Sequence, residues 1–185
     1  EFPKVSRYKT MYKHLFQITH ETDELPPIIL PSGAARWAID PSNIIQIPVC
    51  GGGRVVFRKE CFEDEQWDSF LPRYTASEDV ELSYRISKRW SLVQTPYARL
   101  HHKHSPVSRT TFDDRTARLL YARFYFFRKH MPRDIKHLGS FALSMVAASV
   151  MWSTTSILQG DKHSMKGAQG VLKAGKLCFT DLFNK

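Results

Sequence analysis

The chain has 185 residues, 42% of them hydrophobic and 12% aromatic, which is enough for one domain with a real core and excludes a disordered chain. Its formal charge of +9 is unevenly placed: residues 1–100 carry 13 basic and 13 acidic side chains, residues 101–136 carry 9 and 3, and residues 137–185 carry 5 and 2. Such a segment calls for an anionic neighbour, whether phosphate on a small molecule, nucleic acid or an anionic membrane, and charge alone does not choose among them. Cys50, Cys61 and Cys178 are odd in number and lack metal-ligand spacing, which argues against a disulfide framework and fits a reducing, cytosolic setting. With Glu1-Phe2 at its start, no initiating Met and no signal peptide, the chain is expected to be a fragment or a processed product.

Residues 1–20 are basic and aromatic, and Tyr8, Met11, Tyr12, Leu15 and Phe16 are spaced as one face of a short amphipathic helix. Pro26, Pro27, Pro31 and Pro41, with Gly33, make residues 21–42 loop-rich and leave room only for a short extended piece at Ile28 to Leu30. Ile44, Ile45, Ile47 and Val49 predict a buried strand over residues 43–49 that runs into Gly51-Gly52-Gly53, and Val55, Val56 and Phe57 predict a second apolar strand after it. Three successive glycines make a tight turn or let backbone approach a ligand closely. No Gly-Lys-Ser or Gly-Lys-Thr follows, so the run is not a P-loop. Residues 58–65 read as a short polar helix, and Trp67 and Phe70 as apolar anchors.

The most informative stretch is Thr75 to Leu82. Ser77 is placed as an N-cap whose hydroxyl accepts from the first unpaired amides, and Glu78, Asp79 and Glu81 would lie in the positive field of the first turn. Lys88 and Arg89 complement the far end. Val80, Leu82, Tyr84 and Ile86 also alternate with a period of two, as in a strand, but caps and charge placement decide for helix. A carboxylate at such a helix start serves equally as a structural cap or as a general base.

Leu92 and Val93 lead to Thr95-Pro96, and Ala98 to His102 reads as another short extended run. His101, His102 and His104 crowd together there, with His102 and His104 on one face if the run is a strand. Two imidazoles form only part of a metal site, so structural or exposed histidines stand as the alternative. Residues 111–131 are strongly helical, with Leu119, Leu120, Phe124, Phe127 and Met131 on one face, Arg115, Arg118, Arg123 and Arg128 interspersed, and Pro132 as the stop. Residues 138–160 hold no charge over 23 positions, the length of a membrane span, although seven Ser and Thr lower its apolarity. The tail from Asp161 is again basic and helical.

The ordered set Gly51-Gly52-Gly53, Val56-Phe57-Arg58-Lys59-Glu60, Phe62-Glu63, Trp67-Asp68, Glu78-Asp79-Val80-Glu81-Leu82-Ser83-Tyr84-Arg85 and Thr95-Pro96-Tyr97-Ala98-Arg99-Leu100-His101-His102 resembles the acceptor-side half of bacterial family-2 glycosyltransferases of the rhamnosyltransferase-like kind. The likeness covers roughly residues 45–132 and lies in the order of the motifs, each of which is weak alone. It implies an α/β fold, the C-terminal half of a GT-A mixed sheet flanked by helices, in residues 1–136, followed by a helical tail, expected to associate with a membrane, in residues 137–185. It implies transfer of a sugar with inversion from a nucleotide-diphosphate donor to a polysaccharide or lipid-linked acceptor. Asp79 takes the place of the base with Glu78 beside it, Gly51, Gly52, Gly53, Trp67 and Arg109 take substrate-binding places, and His102 takes that of a ligand to a divalent Mg or Mn ion, with His104 in reserve. The family's N-terminal β-α-β half and its Asp-x-Asp motif have no counterpart before residue 45, so donor binding is expected from chain outside this sequence and the chain alone is expected to be inactive.

The expected setting is cytoplasmic, peripheral at the inner face of the cell membrane, through the basic aromatic helix around Phe124 to Arg128 and the uncharged run after it. A true span is the runner-up there. Nucleic acid is not an expected partner. The alternative reading of function is a basic, non-enzymatic module for nucleic acid or anionic membrane, resting on residues 101–136. A zinc domain built on the three histidines lacks partner ligands.

Overall fold

The computed structural model describes residues 7–53, 55–69, 77–100, 111–158 and 162–183. The first half holds α1 (Arg7–Leu15), β1 (His20–Glu21), β2 (Ile28–Ile29), β3 (Ala35–Trp37), β4 (Ile45–Gln46), α2 (Cys61–Asp64) and α3 (Glu78–Ile86). The second half is β5 (Val93–Gln94) and three long helices, α4 (Phe112–His130), α5 (Ile135–Leu158) and α6 (Lys162–Phe183). The chain is thus mixed α/β, with small sheets set beside helices. In one sheet β3 is central, parallel to β1 and antiparallel to β2, with Arg36 opposite both His20 and Ile28. In the other, β4 and β5 run antiparallel with Ile45 opposite Gln94.

Two apolar clusters hold these elements. Leu82 and Ile86 of α3, both 0% exposed, pack with Cys50, Cys61 and Leu92, and Ile47, Val55, Phe57 and Trp90 close over them. The second cluster joins Ile18, Ala117 and Leu120 to Ala147 and Ala148 of α5 and Ala174 of α6, so residues on both sides of position 137 share it. Small residues let the helices approach. A Cβ added to Gly170 of α6 would stand 2.6 Å from the Asp113 carbonyl oxygen and 2.7 Å from Thr116 Cβ of α4. Between α4 and α5, Phe127 stacks on Phe141 with ring centroids 4.2 Å apart, and Arg123 donates to the buried Ser144 hydroxyl at 2.9 Å. Burial pulls the Arg123 guanidinium down to about 10.

Several expectations change. The strand over residues 43–49 shortens to β4 and one further bond, Ile47 N–H to the Leu92 carbonyl, because Pro48 has no N–H to continue the ladder. Ile44 is 58% exposed rather than buried. Val55 to Phe57 is not a strand; Val56 faces outward at 97% exposure while its two neighbours cover the α3 cluster. Residues 98–100 are likewise not a strand. On α1 only Tyr12 of the expected apolar stripe packs inward, with Phe16 beyond the helix end, while Tyr8, Met11 and Leu15 are exposed. The Phe124 to Arg128 face of α4 is not a membrane face: Phe126 and Phe127 are buried and Arg128 pairs with Asp181 of α6 at 2.6 Å. Among the described residues no helix is long and apolar enough to cross a membrane.

The α4–α6 approach is testable. Gly170→Ala, which forces a side chain against backbone, is expected to destabilise by about 1–3 kcal/mol in urea unfolding. Gly175→Ala, with nothing within 4 Å of the added carbon, is expected to be neutral or to stabilise by about 0.5–1 kcal/mol through helix propensity.

Candidate functional site

The first turn of α3 is fastened by carboxylates rather than by the expected hydroxyl. The Ser77 side chain caps nothing, because its backbone, at φ +148°, is outside the extended region from which a capping hydroxyl reaches the second or third helical amide. Its carbonyl accepts the Glu81 N–H at 3.1 Å. Glu78 Oε2 accepts the Ser77 N–H at 3.2 Å, and Asp79 Oδ1 accepts the Val80 N–H at 2.8 Å.

The second oxygen of Asp79, Oδ2, accepts the Gly52 N–H. A Cβ on Gly52 would stand 3.0 Å from that oxygen and 3.4 Å from the Asp79 Cβ, so only glycine fits there without moving the carboxylate. Gly53, at φ +77°, turns the chain away. The glycine run therefore serves both as a tight turn and as a close approach, with the Asp79 side chain as the group approached. One helical turn along, the Cys50 N–H donates to Ser83 Oγ at 3.0 Å. Burial pushes the Cys50 thiol up, the Ser83 hydroxyl opposes this, and the Asp79 carboxylate adds to it, so Cys50 is no nucleophile near neutral pH.

Behind Asp79 lies a buried charge network that sequence reasoning did not find. Glu81 is 1% exposed; its Oε1 accepts from Arg85 Nε at 2.9 Å, Lys129 Nζ at 2.8 Å and His130 Nε2 at 2.9 Å, and its Oε2 accepts from Arg85 at 3.0 Å. Burial works against the charge of Glu81, but the bonds from His130, Arg85 and Lys129 outweigh it and hold the carboxyl at about 2. The carboxylate can only accept, so His130 carries its proton on Nε2. Arg85 also pairs with Glu65, and Lys129 with Asp68 at 2.6 Å, which ties the 65–68 loop to both helices. The one legible signal was the spacing of Glu81 and Arg85, four apart on a helix.

Of the other candidates, Trp67 stands 55% exposed beside Asp68, and Glu78 borders Asp79. Arg109, His101, His102 and His104 lie outside the described residues. Among the described residues no three His, Cys, Asp or Glu side chains are grouped to hold a metal ion. No family model, curated protein or solved structure matches the chain.

The network gives a pH prediction. With a folded-state value of about 2 against an ordinary 4.5, the stability contributed by ionised Glu81 is complete above about pH 4.5 and is lost as pH falls towards 2. Glu81→Gln is expected to cost about 3 kcal/mol near neutral pH, the worth of a carboxyl held at about 2 instead of 4.5, because the amide cannot replace the charge that Arg85, Lys129 and His130 stabilise. Urea midpoints measured from acid to neutral pH should show that penalty shrinking as the solution is acidified through this window.

Proposed function

We propose that the chain is the acceptor-side half of an inverting, GT-A-type family-2 glycosyltransferase, with Asp79 as general base. The observation that carries the reading is the setting of Asp79. Its two oxygens are each held by one backbone N–H, from Gly52 and Val80, at the head of α3, and each retains a lone pair for a substrate hydroxyl. A sugar hydroxyl is a poor nucleophile near neutral pH, and a positioned carboxylate in reach of it contributes roughly a hundred- to ten-thousand-fold. Asp79 takes the proton as the acceptor oxygen bonds to the anomeric carbon, the carbon–oxygen bond to the diphosphate breaks on the opposite face, and configuration inverts. Glu78 and Asp79 are adjacent, so their side chains diverge by roughly 100° and only one addresses a given hydroxyl squarely. Glu78, engaged with the Ser77 amide, borders the acceptor.

The donor in this reading is a nucleotide-diphosphate sugar. A divalent Mg or Mn ion, when bound, would stabilise charge on the departing diphosphate. His102, with His104 in reserve, is the proposed holder and Arg109 a proposed diphosphate contact. The acceptor is a polysaccharide or lipid-linked glycan, met at Gly51, Gly52, Gly53 and Trp67. The alternative reading as a basic module draws on residues 101–136, where Arg133 and Lys136 are exposed but Arg128 and Lys129 are engaged with Asp181, Asp68 and Glu81.

We place the membrane contact, on the cytoplasmic side, on the outer stripe of α5. Ile135 at 91% exposure, Leu138, Leu143, Val146 and Val150 lie exposed along one uncharged face, and the exposed Arg133 and Lys136 stand at its head. Apolar area for the interface with cations for the headgroups suits a helix lying on an anionic surface. Flotation with phosphatidylserine-containing vesicles should capture the protein at low salt and release most of it at high salt. Val146→Glu should abolish capture, and equal capture of that variant and the wild type would remove the stripe from the reading.

Asp79→Asn tests the base. Turnover should fall at least roughly a hundredfold with donor affinity nearly unchanged, because the loss falls on the transition state. A folded variant that keeps more than about a tenth of wild-type turnover would leave Asp79 as a helix cap only.

A further inference from the structure

Helix α1 is held to the three long helices through Tyr12, which donates its hydroxyl to the Ala147 carbonyl of α5 at 3.1 Å and, with Phe16, packs on the cluster of Ala117, Leu120, Ala148 and Ala174. It also meets His20 of β1. The His14 and His20 rings lie edge to face with centroids 5.5 Å apart, and Thr10 and Lys13 of α1 line one cavity with His20. Between α1 and β1, Gln17 stands at φ +51°, a left-handed conformation that a side chain disfavours and that the docked position has to sustain.

The His20 ring is 3% exposed, and its Nδ1 lies 2.8 Å from the Ile18 carbonyl oxygen. A carbonyl only accepts, so Nδ1 carries the proton of the neutral ring. Nε2 is closed to solvent and has no hydrogen-bond partner among the described residues. A second proton would therefore sit on a buried N–H with nothing to accept it, and would bring charge in among cations. Arg36 is the register partner of His20 in the parallel pair, so the two side chains leave the sheet on one face, while Lys13 and His14 approach from α1. Glu21 is the acidic member of the cavity lining, but it is exposed and leaves Nε2 unbonded. Burial does most to lower the affinity of the ring for a second proton, the Ile18 carbonyl opposes this, and His14, Arg36 and Lys13 lower it further.

We infer that His20 is an acid-sensitive latch for α1, which stays docked while the buried ring is neutral and is released when the ring takes a second proton. The closed position of Nε2 makes the coupling tight, because a proton reaches that nitrogen only when the contact with α1 opens. A free imidazole takes its second proton near 6.5 and the docked ring takes it less readily, so the open state gains protons first. Docking is therefore undisturbed above about pH 6.5 and weakens as pH falls below it, with a limiting slope of about tenfold in the opening equilibrium per pH unit for one proton. Release withdraws Tyr12 and Phe16 from the cluster shared by α4, α5 and α6, so acid controls access to that apolar surface. The latch involves neither Asp79 nor a sugar and stands or falls apart from the glycosyltransferase reading.

Hydrogen exchange of the amides from Met11 to Leu15, divided at each pH by the rates of an unstructured chain, reads the opening of α1. Between about pH 7.5 and about pH 5 that opening should rise at least about fivefold, while amides around Leu120 in α4 stay unchanged. His20→Asn keeps an amide that can donate to the Ile18 carbonyl but does not titrate, so it should flatten the rise. His14→Asn should keep most of it. A wild type that opens no more in acid, an undiminished rise in His20→Asn, or a rise that vanishes in His14→Asn overturns the latch. Long-range proton–nitrogen spectra of the wild type supply a reading that needs no variant. The His20 ring should carry a proton on Nδ1 alone at about pH 6.5, and a ring protonated there on Nε2 or on both nitrogens overturns the inference whether or not His20→Asn folds.

Discussion

A carboxylate with 1% of its surface exposed stays ionised only where donors replace the water it has lost, and Glu81 has that arrangement. Its donors come from its own helix through Arg85 and from the end of α4 through Lys129 and His130. α3 is short, nine residues, and would be marginal by propensity alone. Its orientation is therefore set by what its faces meet. Removing any one donor leaves a buried charge under-compensated, which makes the network a lock between α3, the 65–68 loop and α4 rather than a set of independent pairs.

The remaining faces of α3 follow from the helical period. Asp79 and Ser83, four apart, share one face and meet Gly52 and Cys50, two apart in the opposing segment. Four helical residues rise about 6 Å and two extended residues span about 6.6 Å, so the two spacings match and both bonds form in one register. Leu82 and Ile86 share the next face and enter the core. Tyr84 meets the edges of Phe126 and His130, and the Lys88 ammonium lies 3.9 Å from the centre of its ring. The alternation of Val80, Leu82, Tyr84 and Ile86 that also fitted a strand is thus the by-product of two differently occupied helix faces, Leu82 with Ile86 and Val80 with Tyr84.

Legibility in the sequence followed the length of the elements. α4 and α6 were readable because helices of 19 and 22 residues repeat their pattern several times, whereas α5 was marked only by the uncharged run over residues 138–160. The strands were legible only in part: Ile28 to Leu30 holds β2 and residues 43–49 hold β4, but β1 and β3 were not foreseen, since two or three residues cannot display an alternation and hydrogen bonding rather than periodicity decides where they lie. The head of α3 was half legible: the acidic residues were placed at its first turn, but the cap came from Asp79 and Glu78 because the Ser77 backbone points its hydroxyl elsewhere. The partners of Glu81 were out of reach, as Lys129 and His130 stand 48 and 49 positions away and nothing in a helix end announces which buried carboxylate it will meet.

The same network bears on how Asp79 is held. Asp79 and Glu81 are two apart on α3, so their side chains point roughly 200° apart around the helix axis, one towards the glycine run and the other towards α4. The anchor is thereby on the far side of the helix from the candidate base, where it can fix the helix without competing for the carboxylate or neutralising it. Lys129 and Arg85 reinforce this separation, because their charge is met by Asp68, Glu65 and Glu81 and is not left to pair with Asp79. Asp79 is restrained instead by two neutral amides, from Gly52 and Val80, which fix its direction while leaving lone pairs open. A group meant only to cap a helix needs one such amide. The second, reached only because position 52 lacks a Cβ, fastens the glycine run to the head of α3 as well.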